Sequence, residues 1–135
     1  MGDRGRWRRV GRRHQRRTRL VRRGEVRLVD LDPVRGSEAN RRRPAVIVSN
    51  DGANTTAERL GQGVLTVVPV ISRTEHVYPF QVMLPARETG LRLDSKAQAE
   101  QVRAVSVERI GSQVGSLPPE LLSALDEALR LHLAL

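Results

Sequence analysis

The 135-residue chain contains no cysteine. That excludes disulfides, thiol nucleophiles and zinc–thiolate sites, and it fits a cytoplasmic location. Aromatic residues are almost as scarce: Trp7, Tyr78 and Phe80 are the full set. An extended base-stacking surface is therefore out of reach; Tyr78, beside a loop, is the one ring free to stack, and Phe80 reads as core. The three histidines, His14, His76 and His132, are scattered along the chain. The carboxylates show no metal-ligand spacing, so no metal site and no cofactor are expected. No apolar run approaches the roughly 20 residues of a membrane span. Gly-rich phosphate loops ahead of a helix, nucleophile elbows and internal repeats are also missing.

What is abundant is arginine, and it is unevenly placed. Residues 1–23 hold eleven arginines and one acid, a charge of +10. Residues 24–135 hold 13 basic and 14 acidic residues, a charge of −1. The net +9 thus belongs to the first 23 residues. A body that binds nucleic acid must do so through a local patch. Residues 1–21 are expected to be an arginine-rich, disordered tail, with one folded domain over 22–135. Three readings of the tail stand: an arm gripping phosphates non-specifically, a targeting segment, or an over-long start. In the last, the natural chain opens at Val21, since bacterial genes can begin at valine codons.

From Glu25 the pattern becomes that of short strands. EVRLVDL reads as a strand stopped by Asp32-Pro33. Residues 34–43 are a polar loop, and PAVIVS (44–49) is a buried strand. Asn50-Asp51-Gly52 signals a turn, followed by one helical turn and a Gly-rich loop over 53–63. VLTVVPVIS (64–72) is a strand whose Pro69 implies a bulge or an edge. FQVMLP (80–85) alternates as a half-buried strand, and 97–106 is read as another. After a glycine-containing stretch, Pro118-Pro119 opens a helix carrying Leu121, Leu122, Leu125, Ala128, Leu129, His132 and Leu135 at helical spacing. Many short strands with one terminal helix predict a mainly β fold of the α+β kind, a small bent barrel closed by a C-terminal helix.

Two groupings bear on chemistry. Arg41-Arg42-Arg43 stands directly before a buried strand. A charge run is ordinarily a solvated face. This one, however, ends where a strand fixes Arg43, and the planar fork of a guanidinium suits a phosphate. Cleaving a phosphodiester needs such a group where negative charge grows on the phosphate oxygens. Glu100-Gln101 is a candidate pair for hydrogen bonds to bases, set against an ordinary exposed strand face.

These residues resemble a known family. The stretch RRGEVRLVDLDPVRGSEANRRRPAVIVSND is similar to the opening of MazF/PemK toxins: R-G-E, a strand ending D-L-x-P, then G-S-E, then R-P and an apolar strand. VVPVIS, VYPFQVMLP, DSKAQAEQVRAVSVERI and LDEALRLHLAL continue the likeness in order, from about Arg22 to Leu135. The resemblance is especially to mycobacterial MazF toxins. It implies an SH3-like barrel of the MazF/PemK type that forms a homodimer. It further implies sequence-specific, metal-independent cleavage of single-stranded RNA by its own 2′-hydroxyl, with DNA left uncut, and a MazE-like antitoxin as partner. Residue by residue, it makes Arg43 the catalytic arginine. Ser37 and Glu38 would lie in the loop that covers RNA, Ser49 would line the site, and Glu100 and Gln101 would read bases. Because the ordinary pKa of a guanidine exceeds about 12, charge stabilisation suits Arg43 better than base catalysis.

Two positions depart from the family's pattern. Where the family carries a threonine that contacts the scissile phosphate, this chain has Ile71, without a hydroxyl; Ser72 follows. On a regular strand Ser72 would face the other way, unless a bulge at Pro69 re-aims it. The alternative implied is a weakened or dead module that binds antitoxin or RNA without cutting. Poisoning of DNA gyrase, known for a branch of the same architecture, is opposed by the R-P and G-S-E motifs. The second departure is Arg27, which stands where the family has an aromatic.

Overall fold

A computed structural model describes residues 21–31 and 42–135. The seven strands are β1 (Glu25–Val29), β2 (Arg43–Ile47), β3 (Val64–Ile71), β4 (Gln81–Leu84), β5 (Ser95–Gln98), β6 (Arg103–Ser106) and β7 (Ile110–Ser116). The helices are α1 (Asp51–Leu60), the single-turn α2 (Ala86–Thr89) and α3 (Pro119–Leu133). Short 3₁₀ turns at Ala99–Gln101 and Val107–Arg109 flank β6. All pairings are antiparallel, in the order β4-β5-β3-β2-β1-β7, with β6 also on β3. The expected mainly β fold with a terminal helix is what forms. No ladder joins β4 to β7 among the described residues, so the barrel stays open, and α3 packs against β4.

The sheet is buried on both faces. Val26, Val46, Val68 and Val70 join Leu84, Ala97 and the α3 residues Leu125 and Ala128 in one cluster. Val29, Ala45, Ile47, Leu65 and Val67 join Ala57 of α1 in a second. That is why PAVIVS and VLTVVPVIS read as unbroken apolar runs instead of alternating ones. Val21 also belongs to the second cluster. In α3, Leu125 is fully buried, while His132, and Leu135 beyond the helix end, are exposed despite their spacing.

Several local expectations are corrected. Asn50 caps α1 where a turn was expected: its side chain accepts from Ala53 N at 2.8 Å, and the helix runs ten residues, not one turn. The segment 97–106 is not one strand. β3 pairs with β6 through Val67 and with β5 from Val70, and the 3₁₀ turn at Ala99–Gln101 carries the chain across that change of partner. Pro69, which has no N–H, sits at the change, so β3 tolerates it in a central position. The β2–β3 register runs through Pro69 without a shift (Ala45↔Pro69, Val46↔Val68, Ile47↔Val67), so no bulge forms there. Residues 86–89 form α2; it ends on Gly90 at φ 82°, a left-handed position that favours glycine.

Arginines inside the fold are paired. Arg23 Nη2 donates to Asp126 of α3 at 2.5 Å and its Nε to Val48 O at 2.9 Å. This ties the start of the domain to the last helix. Arg27 is buried and bonds Glu25 Oε1 through Nε (3.0 Å) and Nη2 (2.9 Å).

Candidate active site

A groove of about 1040 Å³ opens where the ends of β2 and β3 meet the stretch after α2. Its apolar lining comes from Leu28, Pro44, Val70, Leu91, Leu93 and Val114. Its polar and charged lining comes from Arg42, Arg43, Ser72, Arg73, Arg92, Ser95 and Gln98, and Ile71 completes it. No carboxylate or imidazole is among these lining residues. The four arginines, Arg42, Arg43, Arg73 and Arg92, make no ion pair or hydrogen bond among the described residues. A nearly neutral body has thus gathered cationic groups in one concave place, the local patch that nucleic-acid binding demands.

Strand geometry explains how Arg43 is held. It opens β2 opposite Val29 of β1. The β2–β3 pairing ends at Ala45↔Pro69, and Ile71, two residues on, pairs with Lys96 of β5. Arg43 and Ile71, at the ends of their strands, both line the groove. The ladder ends at Ile71, and Ser72 is exposed just beyond it. Ser72 lines the groove beside Ile71 and with Val70, two residues before it.

The other sequence candidates are dispersed. Ser37 and Glu38 lie outside the described residues. Ser49 is not a groove residue; its hydroxyl donates to Asn54 Oδ1 at 2.6 Å and accepts from Thr66 N at 3.1 Å. Glu100 accepts from Gln81 Nε2 at 2.8 Å, its Oε1 is buried without a partner, and Gln101 is exposed outside the groove. Tyr78 is also away from the groove: its ring stacks on Phe80 with centroids 5.5 Å apart, and Lys96 Nζ stands 5.6 Å from its centroid. Sequence reasoning missed Arg73, Arg92, Ser95 and Gln98. Only Arg42 carried a signal, as a neighbour of Arg43. No group of three or more metal-ligating side chains assembles among the described residues, and none of their helices is long and apolar enough to cross a membrane.

Residues 22–133 match the family described as PemK-like, MazF-like toxin of type II toxin-antitoxin system. The chain belongs to this family. It is 60% identical over 116 residues to "Endoribonuclease MazF9" of Mycobacterium tuberculosis, covering 86% of this chain and 98% of that one. Among solved structures, MazF from Deinococcus radiodurans superposes with a TM-score of 0.67 at 27% identity, covering 85% of this chain and 97% of that one. An endoribonuclease in complex with its cognate antitoxin, from mycobacterial species, superposes at 0.66 with 20% identity, covering 86% and 97%. The second likeness speaks to fold alone. The strong likeness to a mycobacterial relative agrees with the resemblance read from the motifs.

Proposed function

We propose that the chain is the toxin of a toxin–antitoxin pair and that it cuts single-stranded RNA at a short sequence, without a metal. It is an endoribonuclease, as its mycobacterial relative is named. The observation that carries the mechanism is the groove: Arg43 fixed at the mouth of β2, beside Ile71 and Ser72, within a lining whose described residues include four arginines and no acid.

The 2′-hydroxyl of the RNA attacks the adjacent phosphorus, and the bond to the 5′-oxygen breaks. The 2′-proton leaves to base or solvent, and the departing oxygen gains a proton. The products are a 2′,3′-cyclic phosphate and a 5′-hydroxyl. Charge builds on the phosphorane oxygens, where a fixed guanidinium acts most strongly. Arg43 supplies that charge. Four arginines also repel a divalent cation from the same space, which favours the metal-independent route. DNA lacks the 2′-hydroxyl and stays uncut.

A homodimer and a MazE-like antitoxin complete the reading; an antitoxin is bound in a mycobacterial structure of the same fold. One observation favours a second reading. Ile71 lines the groove together with Arg43, so a hydroxyl is missing beside the reacting position, and a weakened enzyme that still binds would result. Incubation with long single-stranded RNA in EDTA, beside matched single-stranded DNA, separates the two. Specific RNA cuts with cyclic-phosphate ends and intact DNA support the enzyme. RNA bound but uncut at high protein concentration supports the binder.

A further inference from the structure

Arg42 is exposed, yet its side chain lies back against β7. Its guanidinium lies over Gly111 of β7, with Nη1 so near that a Cβ at position 111 would overlap it, and Cζ 3.5 Å from the same point. Leu28 O of β1 stands 2.9 Å from that point. Gly111 has no positive φ, so glycine is needed there for room and not for backbone freedom. The β1–β7 register shifts on both sides of Arg27, and Gly111 falls in the irregular stretch between Ile110 and Gln113. Its carbonyl accepts from Arg27 Nη1 at 3.1 Å, and Arg27 is locked by Glu25. The notch is therefore anchored to a buried ion pair.

We propose that Arg42 is a positioning residue that grips a substrate phosphate next to the one held by Arg43, from a seat that Gly111 creates. This rests on reading the groove as the RNA site. Arg42 has no carboxylate or hydrogen-bond acceptor of its own among the described residues, so its donor fork is left for a ligand. Seating a long side chain before the ligand arrives removes part of the ordering cost of binding. It also sets the reading frame: Arg42 and Arg43 are consecutive, one fixed by β2 and the other by β7. Such a contact positions the strand and carries no base specificity.

The test uses the full chain. In an Arg43→Ala background, which stops cutting, affinity is measured for a random-sequence single-stranded RNA of about 20 nucleotides across a salt series. Adding Arg42→Ala is expected to weaken binding about tenfold and to lower the logarithmic salt slope by about 0.7. Arg42→Lys keeps the slope but recovers only part of the affinity. Gly111→Ala weakens binding when Arg42 is present and adds nothing once Arg42 is alanine; melting curves check that β7 still folds. In the cutting enzyme, Arg42→Ala raises KM while kcat stays within about threefold. Unchanged affinity and slope in Arg42→Ala overturn the proposal. So does a fall in kcat at constant KM, or a Gly111→Ala effect of equal size with and without Arg42. A chain with Arg42 intact that does not bind RNA overturns the proposed function itself, and the role of Arg42 with it.

Discussion

Replacing Ile71 by threonine places a hydroxyl in the groove that Arg43 lines. Two effects compete. Ile71 is half-buried beside Lys96 of β5. Losing apolar volume there costs on the order of 1 kcal/mol of stability, about the worth of one buried methylene. Against it stands one more donor aimed at the phosphorane, worth roughly 10²–10³ in rate, or about 3–4 kcal/mol in the barrier. Domains carry about 5–15 kcal/mol of stability, so the variant stays folded and the rate effect dominates. The assay is kcat and KM on RNA in EDTA with the ends mapped, beside thermal melting of both proteins. A rise in kcat of about two orders of magnitude, with melting lowered by a few degrees, is expected. A kcat within threefold of the parent refutes the reasoning. Ser72→Ala then tells whether the neighbouring hydroxyl, already in the groove, carries the contact: loss of cutting would assign it there.

Arg43→Ala is expected to lower kcat at least about 100-fold while sedimentation still reports a dimer; undiminished cleavage removes Arg43 from the chemistry. Glu25→Ala leaves the Arg27 guanidinium buried without its carboxylate, and urea unfolding should show a loss of about 3 kcal/mol. Glu58 of α1 is buried, and desolvation raises its carboxyl above the ordinary 4.5, only partly opposed by the Val21 N–H and nearby arginines. The folded chain then holds a proton that the unfolded chain releases from pH 4.5 upward, so this group's contribution falls as pH rises through the window up to the raised value. Glu58→Gln should therefore melt higher than the parent at pH about 7 and no higher at pH about 4. An equal difference at both pH values would remove Glu58 as the cause.

Much of the fold could be read from local pattern. The strands around EVRLV, PAVIV, VLTVVPVI and QVML, and the helix after Pro118-Pro119, follow from β-branched runs and from leucine spacing, which act over a few residues. The misreadings have two causes. The segment 97–106 breaks because β3 changes partner between Val67 and Val70, and Ala57 of α1 packs into the second core cluster; these partners are distant in sequence. The Asn50 cap of α1 is local, and its signal reads equally well as a turn. The candidate site divides the same way: Arg43 was legible from its place before a strand, whereas Arg73 and Arg92 look like any surface arginine until the fold brings their segments together.

By itself the sequence determined the family, through motifs kept in order, and the concentration of charge in its first 23 residues. It also determined that position 71 brings no hydroxyl, since identity at a position needs no coordinates. Tertiary structure alone decided what faces the groove. It took Ser49 out of the lining by giving its hydroxyl to Asn54 and Thr66, it set Glu100 against Gln81, and it placed Ser72 in the groove just past the end of β3. It also seated Arg42 over Gly111, 69 residues further along the chain. The physical reason is that a side chain's chemistry is fixed by its type, but its partners are fixed by register and packing between strands distant in sequence.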